Sequence, residues 1–329
     1  MNRIKHILIL LGLAITTACS TATDKADDGK TIEIKRFEDL IFKTPISDLH
    51  QALIANQHDY RFFFNTDISS PEYFEEIKQY ASDSIMQQVY NVVATTYPDL
   101  SWLEKELATA MEKSNELLPN EQPKNFYTMI SGTFGYYDRV ICNDSFMAIN
   151  MDQYAVKNMK YFNGYFGMPM YIVNLLDSIY LPTDCMAAYA ISKIATPRDK
   201  EQSLLDVMII QGKVLYFLDQ IFPNTADSIK IRYTADQMKW AIENENNMWG
   251  YFIQKNLLYE TDYTKIRSFI NEAPSTTAFE NSAPRMCDFI GWKIVDKYMK
   301  KKDVSIKDLF LNTDSQHILT DSGYKPKRK

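Results

Sequence analysis

An α+β fold, mostly helical with a small sheet set among the helices, is what this sequence predicts, and three observations predict it. Thr31–Phe37 (TIEIKRF) alternates Ile32 and Ile34 with Glu33 and Lys35, the period-two pattern of a half-buried strand. Phe126–Phe134 and Arg139–Met151 are rich in Tyr, Ile, Val, Phe and Thr, punctuated by Gly132, Gly135 and the Asp138 region. From Thr183 onward the patterning is almost wholly helical.

The first strand follows a segment, Ser20–Gly29 (STATDKADDG), that has no large apolar residue and reads as a solvated acidic tether. Ser70-Pro71-Glu72 starts a helix, with proline in the first turn where its missing N–H costs nothing. Helical patterning then runs to about Tyr97, ahead of Pro98, and a second helix covers Ser101 to Leu118. The two aromatic, β-branched segments after Pro123 read as two or more strands, open to pairing with each other. Thr196-Pro197 caps a helix that runs from about Asp199 to Phe222. Thr234 with Gln237 forms a capping box, and the helix it opens carries Trp240 and Trp249 as far as about Tyr259. Pro284 opens another, with Met286, Ile290, Ile294 and Tyr298 spaced by four on one face. Ser305 with Asp308 caps a last short helix.

The first nineteen residues carry a different signal. Arg3, Lys5 and His6 make a basic start, and Ile7–Ile15 is an apolar run broken only by Gly12. Thr16-Thr17-Ala18 are small, and Cys19 follows. This is the order of a secretory signal. The apolar run is too short to span a bilayer, which needs about 20 such residues. A cysteine directly after the small residues is where lipoprotein processing acylates a thiol and cuts before it. The usual Leu three positions before the cysteine is replaced by Thr16, with Ile15 one step further out. The expected organisation is a lipoprotein signal over 1–18, a flexible acidic tether over 19–30 and one α+β domain over 31–329. Palmitate-type acyl chains on Cys19 are expected to hold the protein on a membrane of the cell envelope, since each buried CH2 contributes about 0.8 kcal/mol.

Composition narrows the function classes. The chain has 329 residues and a formal net charge of −6, which argues against a nucleic-acid binder. The only basic cluster of note is the tail, Lys325, Lys327, Arg328 and Lys329, read as a solvated terminus. Besides Cys19 there are Cys142, Cys185 and Cys287, an odd number that cannot all pair within one chain, and no CxxC is present. Free, buried thiols are expected, with one disulfide left open by the oxidising compartment that export implies.

Motifs for chemistry are mostly missing. There is no G-x-G-x-x-G, no phosphate-binding loop and no G-x-S-x-G elbow. Outside the signal the histidines are His50, His58 and His317. The segment from Asp199 to Phe222 has none, and carries Gln211, Gly212 and Lys213 between apolar residues. Glycine within a helix costs about 1 kcal/mol relative to alanine, so Gly212 points to close helix packing, with a remnant polar pocket as the alternative. Asp206 and Asp219 read as solvated helix charges.

Several blocks together resemble a family. They are Asp206–Pro223 (DVMIIQGKVLYFLDQIFP), Tyr233-Thr234 with Trp240, Glu245–Trp249, and Glu280–Met299 (ENSAPRMCDFIGWKIVDKYM). With Arg36-Phe37, Tyr324-Lys325-Pro326 and the signal, they are similar to gliding motility lipoproteins of the GldB type. The most specific block is Pro284-Arg285 followed by Gly291-Trp292 and Ile294-Val295; the family usually has Gly after that proline, and this chain does not. A remoter likeness is to predicted zincin-like proteases bearing HExxH, which use two histidines one helical turn apart and a glutamate base. Here Met208–Tyr216 stands in for that helix without an imidazole. The likeness implies a zincin-like scaffold without its metal site, a pseudoenzyme.

The resemblance implies a membrane-anchored lipoprotein of Bacteroidetes-type bacteria, in a family linked to gliding and its associated secretion machinery. The expectation is a non-catalytic component acting through envelope protein partners, with no cofactor, no catalytic residue and no metal. Two alternatives remain at this stage. One is a metallopeptidase-like hydrolase using Glu243, Glu245, Glu280 or Asp206 as ligands. The other is a ligand-binding lipoprotein that keeps a degenerate cleft lined by Tyr216, Trp249 and Trp292. The candidate pocket or partner surface is therefore Gln211, Lys213, Tyr216, Glu245, Trp249, Glu280, Arg285 and Trp292, with Arg285 set to pair with Glu280.

Overall fold

A computed structural model describes residues 31–64, 67–132, 139–159, 168–196 and 201–326. The signal, Cys19, the tether, Phe134, Gly135 and Asp138 of the strand region, Pro197, Asp199 and the last three basic residues of the tail lie outside the described residues. Thr31–Lys329 groups as one compact unit. Its core is drawn from residues between Ile34 and Tyr324, so this unit carries what it needs to fold alone. The fold is α+β as expected.

Strand β1 (Ile34–Arg36) is shorter than the alternation predicts, because Phe37 already begins helix α1 (Phe37–Lys43). The chain then runs through α2 (Ile46–Asn56), α3 (Pro71–Ser82), α4 (Ser84–Thr96) and α5 (Ser101–Leu117) before β2 (Asn125–Met129). The long helical stretch expected up to Tyr97 is thus two helices. Asp83 breaks it: its backbone is extended and its carboxylate accepts from the N–H groups of Ile85 and Met86, which starts α4 afresh. Helices α1 and α2 escaped the sequence reading.

Among the described residues the two strand segments hold three strands. The second contains both β3 (Val140–Cys142) and β4 (Phe146–Asn150), an antiparallel hairpin whose turn is tied by Asn143 Oδ1 accepting from the N–H groups of Ser145 and Phe146. β4 lies parallel to β2, and β2 parallel to β1, in the order β1-β2-β4-β3. Phe126, Tyr127 and Thr128 of β2 are all buried, so this central strand is covered on both faces. Tyr127 is packed among the rings of Tyr60, Phe62, Phe63 and Phe146.

The rest is helical: α6 (Met151–Ala155), α7 (Met170–Leu175), α8 (Leu181–Lys193), α9 (Leu204–Ile221), α10 (Asp227–Ile231), α11 (Ala235–Gln254), α12 (Tyr263–Ile270), α13 (Met286–Lys301), α14 (Ile306–Leu311) and α15 (Ser315–Ser322). Helix α9 starts five residues later than about Asp199. Its cap is a Ser203–Asp206 box rather than Thr196-Pro197, which places Asp206 in a buried capping role instead of in solvent. The Thr234–Gln237 box opens α11 as expected, but α11 stops at Gln254. Ser305 caps α14, which is not the last helix, because Asp314 caps α15 beyond it.

Helix α9 is buried almost all round and forms the spine of this half with α13. Met286, Ile290, Ile294 and Tyr298 of α13 all point into the core. The two helices touch backbone to backbone. A Cβ built on Gly291 would sit 1.8 Å from the Met208 carbonyl oxygen, and one on Gly212 would sit 2.3 Å from the Gly291 carbonyl oxygen. The helix-packing reading of Gly212 therefore holds.

Gly291→Ala should destabilise the protein by about 3 kcal/mol or more, since the helices themselves must separate. Gly250→Ala, on α11 where a Cβ meets nothing within 4 Å, should raise stability by up to about 1 kcal/mol. Urea unfolding of both variants checks the contrast. A Gly291→Ala protein as stable as wild type would refute the close crossing.

Candidate functional site

Two buried polar clusters stand out, one at the junction of the sheet and the helical half and one at the carboxyl ends of the parallel strands. The first is built on two arginines with left-handed backbones. Arg232 (φ 60°) ends α10 and Arg285 (φ 41°) precedes α13. Non-glycine residues reach this region at some cost, and the surroundings must hold them there. The Arg232 guanidinium donates to both oxygens of Asp184 and to the Leu175 carbonyl, and lies 4.6 Å from the centre of the Tyr180 ring. Tyr154 O–H donates to the same Asp184 carboxylate at 2.7 Å.

Arg285 donates from Nη1 to Asp288 Oδ2 at 2.7 Å and from Nε to Glu272 Oε2 at 3.0 Å. Its Nη2 reaches the carbonyls of Ile231 and Arg232 at 2.7 and 3.3 Å, satisfying the end of α10. Tyr233 O–H returns the link by donating to the Pro284 carbonyl at 2.6 Å. Glu272 also faces Arg139 Nη2 at 3.9 Å. Burial works against the Arg285 charge, but Glu272 and Asp288 more than offset it, and its pKa is raised. Burial, then the nearby Arg232 charge, pushes Arg139 down. Three arginines thus face Asp184, Glu272 and Asp288 in a neutral, interlocked set. Arginine does not give up its proton, and each carboxylate is engaged, so the set fixes geometry and offers no base or nucleophile. Cys287 donates its S–H to Asp288, and burial pushes its thiol far up, away from reactivity.

The second cluster sits where α/β sheets commonly build their sites. Glu38 Oε1 accepts from Arg36 Nε and from Thr128 Oγ1, both at 2.9 Å. Its Oε2 is buried without a hydrogen-bond partner, as is Arg36 Nη2. Asp152 accepts from Ser131 N, Ser131 Oγ and Gly132 N at 3.0, 2.9 and 3.2 Å. Burial raises the pKa of both carboxyl groups. Sequence reasoning missed this cluster and, except for Arg285, the first as well. Its members come from distant segments, and a charged residue just past a strand looks locally like any loop charge.

The residues singled out from the sequence do not converge. Arg285 is buried and pairs with Glu272 and Asp288, while Glu280 is exposed and not its partner. Trp292 is buried and donates from Nε1 to Asp219 Oδ2 at 2.7 Å, and Asp219 also holds Lys230, so Asp219 is a packed helix charge and not a solvated one. Glu245 accepts from Tyr324 O–H at 2.8 Å, and Trp249 packs edge-on against the Tyr324 ring. Gln211 and Tyr216 are half-buried, Tyr216 against the core. Lys213 is only 2 % exposed and donates to the Asn312 carbonyl at 2.6 Å; burial lowers its pKa to about 8. The supposed cleft residues Tyr216, Trp249 and Trp292 are therefore packing and tie points. A shallow, open groove does lie between α10 and α11, lined in part by Asp227, Met238 and Ile242, and of the sequence candidates it takes in Glu243. Among the described residues no three His, Cys, Asp or Glu side chains are grouped so as to hold a metal ion, and no helix is long and apolar enough to cross a membrane. Cys142, Cys185 and Cys287 are free, the first half-buried and the others buried.

A family model described as gliding motility protein GldB matches residues 19–326. No curated protein and no solved structure matches the chain.

Arg285→Met should cost about 3–5 kcal/mol, because it strands Glu272 and Asp288 in the interior; a urea midpoint unchanged from wild type would show that the cluster holds nothing. Lys213 gives a pH signature. Its folded pKa of about 8 lies below the ordinary 10.5, so between those values the folded chain binds one proton fewer than the unfolded chain. Its contribution to stability rises with pH across that window and is level below it. The stability of wild type minus that of Lys213→Met should climb by about 3 kcal/mol from pH 8 to 10.5. A flat difference would place the amine in solvent.

Proposed function

The chain belongs to the GldB gliding motility family, and from that premise we propose that it is a lipid-anchored envelope lipoprotein, non-catalytic, acting through protein partners. The observation that carries the reading is the family match itself, which opens at Cys19, the residue the signal pattern marks for acylation. The acidic tether after it has the composition of a spacer between membrane and domain.

The reading of a non-catalytic role draws on how the helix that would carry HExxH is used. Its centre is committed to the Gly212–Gly291 crossing, and Lys213 is committed to the end of α14. The carboxylates considered as ligands are dispersed. Asp206 is a buried cap, Glu245 is held by Tyr324, and Glu243 and Glu280 are exposed on different segments. A chain spent on such ties offers its outer surface to partners.

Cys19→Ala tests the anchor. Wild type should fractionate with membranes and gain the mass of acyl chains, whereas Cys19→Ala should appear in the soluble fraction or retain its signal uncut. A Cys19→Ala protein processed and membrane-bound like wild type would end the lipoprotein reading. Crosslinking in cells should recover the same envelope proteins from wild type in repeated experiments, and none reproducibly would end the partner reading.

A further inference from the structure

We propose that the lysine-rich end of α13 and α15 is a membrane-facing surface that rests on anionic lipid headgroups. Lys293, Lys297 and Lys300 repeat at i, i+4 and i+7 along α13, and Lys301 and Lys302 complete its end. α15 brings a second element to the same place. Lys297 Nζ donates to the Gly323 carbonyl at 2.6 Å and Lys301 Nζ to the Asp321 carbonyl at 2.8 Å. Lys325 follows two residues later and is exposed.

Part of this charge serves the helix ends. Lysines near helix C-termini satisfy the last carbonyls and the negative end of the dipole. That accounts for Lys297 and Lys301. Lys302 pairs with Asp321, and Lys300 pairs with Asp296 while its side chain stays 73 % exposed. Asp296, Asp303 and Asp321 are too few to balance the lysines gathered here, so the patch is positive on a chain whose net charge is −6. The sequence continues through Lys327, Arg328 and Lys329, which keep the same sign. A local excess of one sign on an oppositely charged body orients the body in a field.

Ammonium groups on flexible stems suit phosphate-bearing headgroups, which they bind as point charges without needing a shaped pocket. Lys293 is half-buried over the rings of Phe289 and Trp292, at 5.0 and 4.8 Å from their centres, whereas Lys300 and Lys325 stand exposed, and charges free to move on exposed stems suit a flat, charged surface better than a peptide. The inference rests on the lipid-anchor reading for proximity. Residues 20–30 span at most roughly 40 Å when extended, so an acylated Cys19 would keep the domain near the headgroups, where weak attraction sets its orientation.

The test uses Thr31–Lys329, which lacks Cys19, so its outcome is independent of the anchor. This unit should sediment with vesicles of phosphatidylcholine and phosphatidylglycerol at low salt, and not with vesicles of phosphatidylcholine alone. High salt should release it. Lys300→Glu with Lys325→Glu should lower partitioning by about tenfold or more, and Lys300→Gln with Lys325→Gln by less, with melting temperatures unchanged in both. Equal sedimentation with both vesicle types, or binding indifferent to charge reversal, would overturn the proposal. So would an immobilised unit that ignores anionic vesicles yet retains an acidic envelope protein through the same lysines.

Discussion

Two glycines face one another where α9 crosses α13, and most of the helical half is arranged around that meeting. Without side chains between them the helices close to backbone contact. The proximity sets the register of everything they carry. It brings Trp292 Nε1 onto Asp219 at 2.7 Å. On the other side Lys213 reaches the end of α14. α15 then packs on α13, and Tyr324 beyond it drops onto Glu245 and Trp249 of α11. Each later contact presumes the earlier one, because a side chain at either glycine would shift one helix by more than a hydrogen bond tolerates.

The arginine cluster does for the junction what the glycines do for the spine. Apolar packing is tolerant of small slides, whereas a guanidinium fork is not. Arg232 and Arg285 sit at helix ends, with left-handed backbones; Arg232 closes on Asp184 of α8, and Arg285 on Glu272 beyond α12 and on Asp288 in the first turn of its own helix. Sheet, α8, α10 and α13 are thereby fixed to one another at a single place. Such a set adds little net stability over an apolar substitute but strongly penalises a missing member. We read it as a specificity device, and its neutrality explains why it can be buried at all.

Legibility in the sequence followed range. Local signals were sufficient for the Thr234–Gln237 box, for the apolar stripe of α13 and for Pro71 at the start of α3, because cause and effect lie within one turn. They failed where tertiary partners decide. Asp219 looks like any solvated helix charge, yet it takes an indole N–H from 73 residues away. Arg285 was noticed for the right property and given the wrong partner, since Glu272 is 13 residues off and Glu280 only five. The parallel pairing of β2 with β4 was hidden by the β3–β4 hairpin lying between them in the chain. Asp83 and the Ser203–Asp206 box are misses of another kind: each caps within one turn, so the signal was local, but a longer helical pattern and Thr196-Pro197 stood in front of it.

The pattern of committed polar groups bears on where function resides. Catalytic sites leave groups under-used: a base without its proton, a donor aimed at empty space, a nucleophile with a perturbed pKa. In the helical half the opposite holds at the positions that drew attention. Arg285, Lys213, Asp206, Asp219 and Glu245 each have an intramolecular partner. Groups committed in this way hold a shape. Among the described residues, the buried side-chain atoms left without a hydrogen bond include Glu38 Oε2 and Arg36 Nη2 beside the sheet, His50 Nε2, and Arg232 Nε in the arginine cluster. On the reading proposed above, shape and surface charge are what such a domain presents to its partners.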